Sequence, residues 1–416
     1  MAYTIAHEPS TTTGVQVAGA LRPIVYVVGD LSQIDEPKYR YVLQVSINSS
    51  VVATIAVSPN ANGYGVFNVA PIIRDYLEPT YDNSGTPVHE LGTTLADQTM
   101  YKAVSLNFGY RFATDAESQS ETTLGQALRT LHAFRADFNA PSDKFTTTQT
   151  ADYSPSNTAL FMTTMHASRQ VHDTDYGNVT MMTDLSSTFR ANYLEVKFYQ
   201  GPTLLNTGYV PWNINWTGTS KLGMVPAFPA SLEETGITDA MPSNSPNWTY
   251  YTLQAKSGNL LSSYERSQIY RFYRVLDCPE PTTQLAWVNE LGAWEYITMR
   301  GRMQVESSVS RENFTQAAGN TATAGPTAYE YYPWDGGPRS YRVNETEQIT
   351  LHTGPLSELH NALVRSLIRS QFVLVSSYGW QAGRITESRY VEQTTRWNQH
   401  INYSVTIELA GQKLAQ

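Results

Sequence analysis

The chain has 416 residues and a net charge of −9 at pH 7, with 16% charged and 12% aromatic residues. The acidic balance argues against a surface built to grip phosphates, since such surfaces are rich in Lys and Arg. The single cysteine, Cys278, excludes an intramolecular disulfide framework, so we expect folding in a reducing cytoplasm. We expect no signal peptide and no membrane span, because the sequence lacks the corresponding apolar runs.

Residues 1–115 are predicted to form an N-terminal β-sandwich. Apolar side chains alternate with polar ones from Arg40 to Ile47, and Asn48-Ser49-Ser50 supplies turn-forming residues. Val51 to Val57 is apolar again, so the segment predicts a β-hairpin. A second alternating stretch from Val104 to Phe112 predicts another half-buried strand.

Two short helices are predicted between and after these strands. The first is expected near Val69–Leu77, ahead of Pro79. The second is expected at about Leu124–Phe134, within a Ser- and Thr-rich segment, 116–165, that we interpret as a polar insertion. A contact loop and a disordered linker are both compatible with such a segment.

Residues 166–261 are predicted to form a second β region. Leu194, Val196 and Phe198 alternate with polar residues, and the strand that follows Gly201 returns beside them. Residues 218–248 are rich in Pro, Ser, Asn and Gly, which indicates an extended loop. Whether 1–115 and 166–261 form one domain or two is open at this point.

Residues 262–416 are predicted to form a C-terminal β domain. A helix is expected at 355–369, with Pro355 at its first position and one apolar stripe of Leu356, Leu359, Leu363, Val364 and Leu367. Apolar residues occupy every second position from Ile401 to Leu409, which predicts a strand with one buried face. Residues 305–330 are rich in Ser, Thr, Ala and Gly and predict a long flexible loop.

Catalytic and cofactor motifs are absent from the sequence. No His-Glu-x-x-His, phosphate-binding Gly-Lys loop or Gly-x-Ser-x-Gly elbow occurs, and Gly63-Tyr64-Gly65 lacks the third glycine of a dinucleotide loop. His172 to Asp175 fits either a cation site or a polar turn. The pairs Glu233-Glu234 and Glu345 with Glu347 fit either an acid–base pair or solvated surface. Cys278 is interpreted as a packed side chain, and we expect no enzyme, no metal and no cofactor.

Aromatic clusters are the remaining candidates for a binding site. Their members are Tyr331, Tyr332, Trp334, Trp212 and Trp216. Such side chains anchor protein interfaces, stack on sugar rings or fill a core. We take them as candidate interface residues and leave the other two interpretations open.

Three stretches resemble structural proteins of tailed phages, particularly phages that infect Bacteroidetes. The first runs from Tyr41 to Leu77 and includes Asn60-Ala61-Asn62-Gly63-Tyr64-Gly65-Val66-Phe67-Asn68 and Ile73-Arg74-Asp75-Tyr76-Leu77. The second is Leu285-Ala286-Trp287-Val288-Asn289-Glu290-Leu291-Gly292-Ala293-Trp294-Glu295-Tyr296. The third, from Val343 to the C-terminus, is similar to the tail-tube-like domain of distal tail and baseplate proteins.

The resemblance implies a mainly β fold of β-sandwich domains with a few short helices, ending in a tail-tube-like β-sandwich that carries one packed helix. It implies a virion protein that forms a ring in the tail, the baseplate hub or the head–tail junction. Its partners would be copies of itself, other tail or connector proteins, and DNA passing without specific binding. The alternative is a receptor- or carbohydrate-binding fibre or a capsid decoration protein, and a glycoside hydrolase is a third hypothesis.

Overall fold

The protein is mainly β, with several multi-stranded sheets and a few short helices in the described residues. The computed structural model describes residues 3–9, 15–17, 23–30, 34–79, 81–83, 86–90, 92–93, 95–97, 100–114, 119–136, 161–182, 192–212, 222–259, 262–276, 282–316, 320–321, 329–330, 336–377, 379–387, 389–392, 401–410 and 413–414. Backbone contacts group the chain into two compact units. The first comprises 1–278, 286–297 and 362–370, and the second comprises 279–285, 298–361 and 371–416. The predicted boundaries at 115, 165 and 261 stay predictions.

The N-terminal part of the first unit contains short strands, one helix and two long strands. Their bounds are β1 Thr4–His7, β2 Val15–Val17, β3 Val25–Gly29, β4 Arg40–Ile47, β5 Ser50–Val57, β6 Tyr64–Asn68, α1 Ala70–Arg74, β7 Asp82–Asn83, β8 Thr86–Pro87, β9 Leu95–Asp97, β10 Tyr101–Phe112 and β11 Glu121–Phe134. A 3-10 turn covers Val88–Glu90.

Two sheets of this part pack over one core and form a β-sandwich. One sheet has the strand order β1-β3-β6 and the other the order β2-β11-β10-β4-β5. Tyr26 and Phe67 of the first sheet meet Phe108 of the second, with ring centroids 5.3 and 6.1 Å apart. The alternation in β4 and β10 buries Leu43, Val45, Val104, Leu106 and Phe108 in this core, as predicted.

The hairpin predicted at 40–57 and the helix predicted near 69–77 are both confirmed. Asn48 and Ser49 have positive φ angles of 51° and 65°, which is the backbone of a tight two-residue hairpin turn. The helix predicted at Leu124–Phe134 is wrong, because these residues belong to β11, which pairs with β10 along its whole length. Leu124, Leu128 and Leu131 have helix-like spacing, but in the strand Leu131 is buried and Leu128 is exposed, so this spacing does not mark one buried face.

The rest of the first unit holds a second group of sheets. The bounds are β12 Ser168–Val171, β13 Asn178–Met182, β14 Tyr193–Gln200, β15 Thr203–Pro211, β16 Leu222–Pro226, α2 Pro229–Glu233, β17 Tyr250–Asn259, β18 Ser262–Glu265 and β19 Tyr270–Arg274. One sheet has the order β12-β19-β17-β14-β15 with β18 beside β17, and another has the order β13-β16-β9. Phe228, which follows β16, contacts Phe272 of β19 with centroids 5.5 Å apart and so joins the two sheets.

The loop predicted at 218–248 is wrong over 222–233, whereas 234–248 consists of turns and irregular backbone. Leu222–Pro226 is a strand buried at every position, and Pro229 begins the helix α2. A strand buried on both faces has no alternation, so its pattern does not differ from that of an apolar loop. Two 3-10 turns, Thr238–Ala240 and Pro242–Asn244, follow the helix.

Two strands each contain residues assigned to the first unit and residues assigned to the second. Most of one helix is assigned to the first unit. These are β20 Thr283–Val288, β21 Trp294–Met299 and α3 Asn361–Arg369. The turn between the strands is closed by Asn289, whose backbone N–H donates to the Ala293 carbonyl over 2.8 Å. In α3, Leu363, Val364 and Leu367 are buried, and Trp287 donates its indole N–H to Ser366 Oγ over 3.2 Å.

The helix predicted at 355–369 is confirmed only in its second half. Leu356 instead exchanges two backbone hydrogen bonds of 2.7 and 2.6 Å with Ile401. A 3-10 turn covers Glu358–His360, and Leu359 is exposed. The bridge to Ile401 holds Leu356 in an extended conformation, so Pro355 does not occupy a first helical position.

The second unit is built on one antiparallel sheet. Its other strands are β22 Met303–Gln316, β23 Asn320–Thr321, β24 Tyr329–Glu330, β25 Gly337–His352, β26 Val373–Val375, β27 Gln381–Ile385, β28 Ser404–Leu409 and β29 Lys413–Leu414. They run in the order β26-β27-β28-β25-β22, with β29 beside β25 and the short pair β23-β24 separate. The predicted alternation from Ile401 to Leu409 is confirmed, since Ile401, Tyr403, Val405, Ile407 and Leu409 are all buried.

Candidate interface

A long two-stranded ribbon is formed by β22, which is exposed along almost its whole length, and β25, which is half-buried in its second part. The two strands pair from Met303 and Leu351 to Gln316 and Gly337. Every residue of β22 from Gln304 to Thr315 is exposed, so neither face of this strand packs on a core. The flexible loop predicted at 305–330 is therefore wrong over 305–316. The cross-strand backbone ladder holds this strand, and no buried face exists to create a hydrophobic alternation.

The ribbon divides into a foot and a tip. The foot is 303–310 with 344–352, where β25 also pairs with β28 and β29 on its other side. The tip is 311–316 with 337–343, where β22 is the only described neighbour of β25. An isolated two-stranded ribbon is marginally stable in water, so a partner that covers the tip stabilises it.

Apolar and aromatic side chains line the ribbon. Val305 and Val309 share one face with Val343 by register, and about 44% of Val309 is exposed. On the other face, Phe314 and Tyr341 contact edge to face, with centroids 6.3 Å apart. Tyr341 is 65% exposed. Exposed apolar groups gathered on one projecting element are typical of protein interfaces.

A β-bulge sets the side chains of the tip. Glu312 pairs with Arg342 and Asn313 with Ser340, so Tyr341 is the extra residue. The Tyr341 hydroxyl donates to Glu312 Oε2 over 2.5 Å, and this hydrogen bond raises the pKa of Tyr341. Arg342 lies 4.0 Å from Glu312 as an exposed ion pair, which contributes little to stability.

Charge is segregated along the ribbon. The tip contains Arg311, Arg339 and Arg342 with a single acidic residue, Glu312. The foot strands β22 and β25 contain three glutamates, Glu306, Glu345 and Glu347, and neither Lys nor Arg. In β29, Lys413 is the register partner of Glu345. The ribbon therefore runs from an acidic foot to a basic tip on a chain whose net charge is −9.

A second candidate contact is the sheet edge formed by β5. The strand Ser-Val-Val-Ala-Thr-Ile-Ala-Val has no charged residue, and β4 is its only described neighbour in the sheet. Ile55 and Val57 pack on the first core but are only half-buried. At the comparable edge β15, a 3-10 turn covers the strand, and Asn206 Nδ2 donates to the Asp239 carbonyl over 3.2 Å. An uncovered, uncharged edge is a template for another strand.

The predicted aromatic residues fall into two groups. Tyr331, Tyr332, Trp334 and Trp216 lie outside the described residues. Trp212 is only 3% exposed, and its backbone N–H donates to the Asn192 carbonyl over 2.8 Å. The core interpretation therefore fits Trp212 in this chain, and the interface assignment of the set stays a prediction.

Three acidic residues from the candidate cation and acid–base sites form hydrogen bonds or an ion pair with neighbouring residues. Asp175 accepts the His172 backbone N–H over 2.8 Å, and Asp173 pairs with Arg274, which corresponds to the polar-turn interpretation. Glu233 accepts hydrogen bonds from the backbone and hydroxyl of Ser243. Within the described ranges, no three His, Cys, Asp or Glu side chains form a cluster suited to a metal ion. Cys278 lies outside them.

A buried polar cluster in the first unit contains two groups with shifted pKa values, Glu295 and His89. Glu295 accepts hydrogen bonds from Thr163, from the backbone and hydroxyl of Thr164, and from Asn289 Nδ2 at 2.8 Å. Burial raises the pKa of Glu295 despite these donors. His89 Nδ1 lies 3.0 Å from the Tyr296 hydroxyl, and burial lowers the pKa of His89 to about 3. These side chains tie the turn at 161–166 and the segment around His89 to β21.

No family model matches the chain, and no curated protein matches it. None of the helices in the described part of the chain is long and apolar enough to cross a membrane.

Proposed function

We propose that this chain is a structural subunit of a tailed-phage particle and assembles with copies of itself through the ribbon. The observation that carries the proposal is the exposure of both faces of β22, together with its valines and the pair Phe314 and Tyr341. A monomer gains no burial from holding these side chains in a long two-stranded element. A neighbouring subunit that covers them supplies that burial.

The mode of assembly that fits these features is a closed ring in the tail, the baseplate hub or the head–tail junction. In a ring each copy presents one patch to the next, so the ribbon and its receiving surface lie on different parts of the subunit. The uncharged edge of β5, which among the described residues pairs only with β4, offers a second contact to which another strand can add. The net charge of −9 supports a channel through which DNA passes without adhering.

The partners under this proposal are copies of the chain and other tail or connector proteins, and the location is the virion. No catalytic step, metal or cofactor is part of it. An assembly interface of this kind buries more than about 1,000 Å² in total.

The test compares the wild-type chain with a shortened-ribbon variant in which 311–343 is replaced by a two-residue Asn-Gly turn. We expect the wild type to form a discrete oligomer in sedimentation velocity and negative-stain images, and the shortened variant to be monomeric. Circular dichroism and thermal unfolding check that the variant folds. A wild-type chain that stays monomeric at high concentration and is absent from purified particles would contradict the proposal.

A receptor- or carbohydrate-binding fibre or decoration protein is the second candidate function. The exposed ring pair Phe314 and Tyr341 favours it, because aromatic faces stack on sugar rings. Glycan-array binding that Phe314→Ala and Tyr341→Ala abolish, with no change in oligomeric state, would favour this function over assembly.

A further inference from the structure

We infer that the ribbon joins subunits head to tail, with the basic tip of one copy bound to the acidic foot of the next copy's ribbon. This inference rests on the proposed function and names the two surfaces that meet. It starts from the segregation of charge between Arg311, Arg339 and Arg342 at the tip and Glu306, Glu345 and Glu347 at the foot.

The register places both charge types on both faces of the ribbon. On one face, Arg311 follows Glu345 and Glu347 toward the tip. On the other face, Arg339 and Arg342 lie beyond Glu306. Each face therefore runs from acidic to basic in the same direction, so a copy displaced along the ribbon brings unlike charges together.

Electrostatics also restricts where the tip can bind. A basic tip on a chain of net charge −9 is attracted to another copy, whereas two acidic feet repel each other. The contact is heterologous, because the tip and the foot are different patches of one subunit. Contacts of this type generate rings when the rotation between copies closes. Each alternative symmetric contact, tip to tip or foot to foot, places like charges opposite one another.

The contact has an apolar part as well. Phe314 and Tyr341 lie at the tip beside the arginines, and Val305 and Val309 lie along the foot. Apolar burial supplies affinity, while the charges fix the direction and speed of association. Added salt is therefore expected to weaken association between the subunits, and the apolar contacts are expected to keep some association at high salt.

The decisive experiment is a charge swap on the ribbon of the full chain, at residues that are exposed at the tip and half-buried at the foot. One variant carries Arg339→Glu with Arg342→Glu, and a second carries Glu345→Arg with Glu347→Arg. Each alone is expected to assemble at least tenfold more weakly than the wild type in 50 mM salt, measured by mass photometry and sedimentation. An equimolar mixture is expected to recover assembly, because each reversed tip then meets a reversed foot.

A matched control carries Arg40→Glu with Arg384→Glu, two exposed arginines outside the ribbon. It changes the net charge as the tip variant does and is expected to assemble like the wild type. We expect all variants to fold, because the altered side chains are not in a core. Thermal unfolding measurements check this expectation. Raising the salt to 500 mM is expected to weaken wild-type assembly several-fold.

The outcomes separate this inference from the proposed function. If the shortened-ribbon variant is monomeric but the charge-swapped variants assemble normally, or the mixture fails to recover, the head-to-tail inference is overturned and the assembly role stands. If the wild type is itself monomeric, both are overturned. Binding of the tip to single-stranded DNA, lost in the Arg339→Glu and Arg342→Glu variant while assembly persists, would assign the arginines to nucleic acid instead.

Discussion

The ring of Tyr41 lies directly against the backbone of Gly65. A Cβ atom built on Gly65 would be 2.5 Å from Tyr41 Cδ2, which is closer than real side chains approach. The Tyr41 hydroxyl is fixed at the same time, because it donates to the Gly63 carbonyl over 2.6 Å and accepts the Asp30 N–H over 2.9 Å. Gly65 therefore allows close packing in the first sandwich.

Gly65→Ala is expected to lower the free energy of unfolding by about 1–3 kcal/mol, because the added methyl group overpacks a fully buried ring. Urea titration followed by circular dichroism measures the change. In a Tyr41→Ala background the two nearest atoms, Cδ2 and Cγ, are absent, so the cost of Gly65→Ala is expected to shrink. An equal cost in both backgrounds would contradict the assigned contact.

Glu295→Gln is expected to destabilise the first unit by about 1–3 kcal/mol near pH 5, because Thr163, Thr164 and Asn289 all donate to the carboxyl oxygens and an amide N–H₂ in place of one oxygen removes an acceptor. The pKa of Glu295 is raised on folding, so its contribution is fully present below the unfolded pKa and is lost as pH rises through the folded pKa. The difference in the free energy of unfolding between the wild type and the variant should therefore become smaller as pH increases above about 4.5. Denaturant titrations from pH 4 to 8 measure it, and a gap that widens with pH would oppose this account.

His89 gives a pH dependence of the opposite sign. Its pKa is lowered from 6.5 to about 3 by burial, so the unfolded chain binds a proton that the folded chain does not. The stability that the neutral imidazole contributes is present above pH 6.5 and is lost as pH falls toward 3, by up to about 1.4 kcal/mol per pH unit. His89→Gln should flatten this slope in denaturant titrations from pH 7 to 4. An unchanged slope would contradict the burial of a neutral His89.

Thr54→Lys tests the open edge of the first sandwich. Thr54 is exposed at the middle of β5, so the change is expected to alter stability by less than about 0.5 kcal/mol. A lysine on an edge strand hinders pairing with another strand, so association of the full chain should weaken in sedimentation experiments. Gln44→Lys, its register partner on the inner strand β4, is the control and should associate like the wild type. Equal weakening by both variants would show that the edge is not the contact.

The sequence predicts best the strands that bury one face. In β10 and β28 the alternation of apolar and polar residues is visible in the sequence and agrees with the buried residues of the structure. The strand β16 escapes prediction because both of its faces are buried, and β22 escapes because it buries neither. Pairing with another strand determines both, and periodicity within one segment contains no information about that partner.

The candidate interface was only partly predictable for the same reason. Aromatic residues adjacent in the chain, such as Tyr331 and Tyr332, suggested an interface, whereas Phe314 and Tyr341 come together only across the ribbon. A usable signal was the spacing of Val305 and Val309 within a polar segment, which marks one face of a strand. The register that places Arg339, Arg342 and Phe314 together depends on the bulge at Tyr341, and no local pattern reveals it.

The extra residue at Tyr341 reverses the odd–even order of side chains along the outer part of β25. Arg339 and Arg342 are three positions apart and would point to opposite sides of a regular strand, yet the pairing puts both beside Glu312 and Phe314. Deleting Tyr341 would restore a regular strand and leave the two arginines two positions apart, so both would stay on the same face. A one-residue insertion between Glu312 and Asn313 would instead give Tyr341 a partner and place Arg339 on the opposite face from Arg342, with the number of charges unchanged.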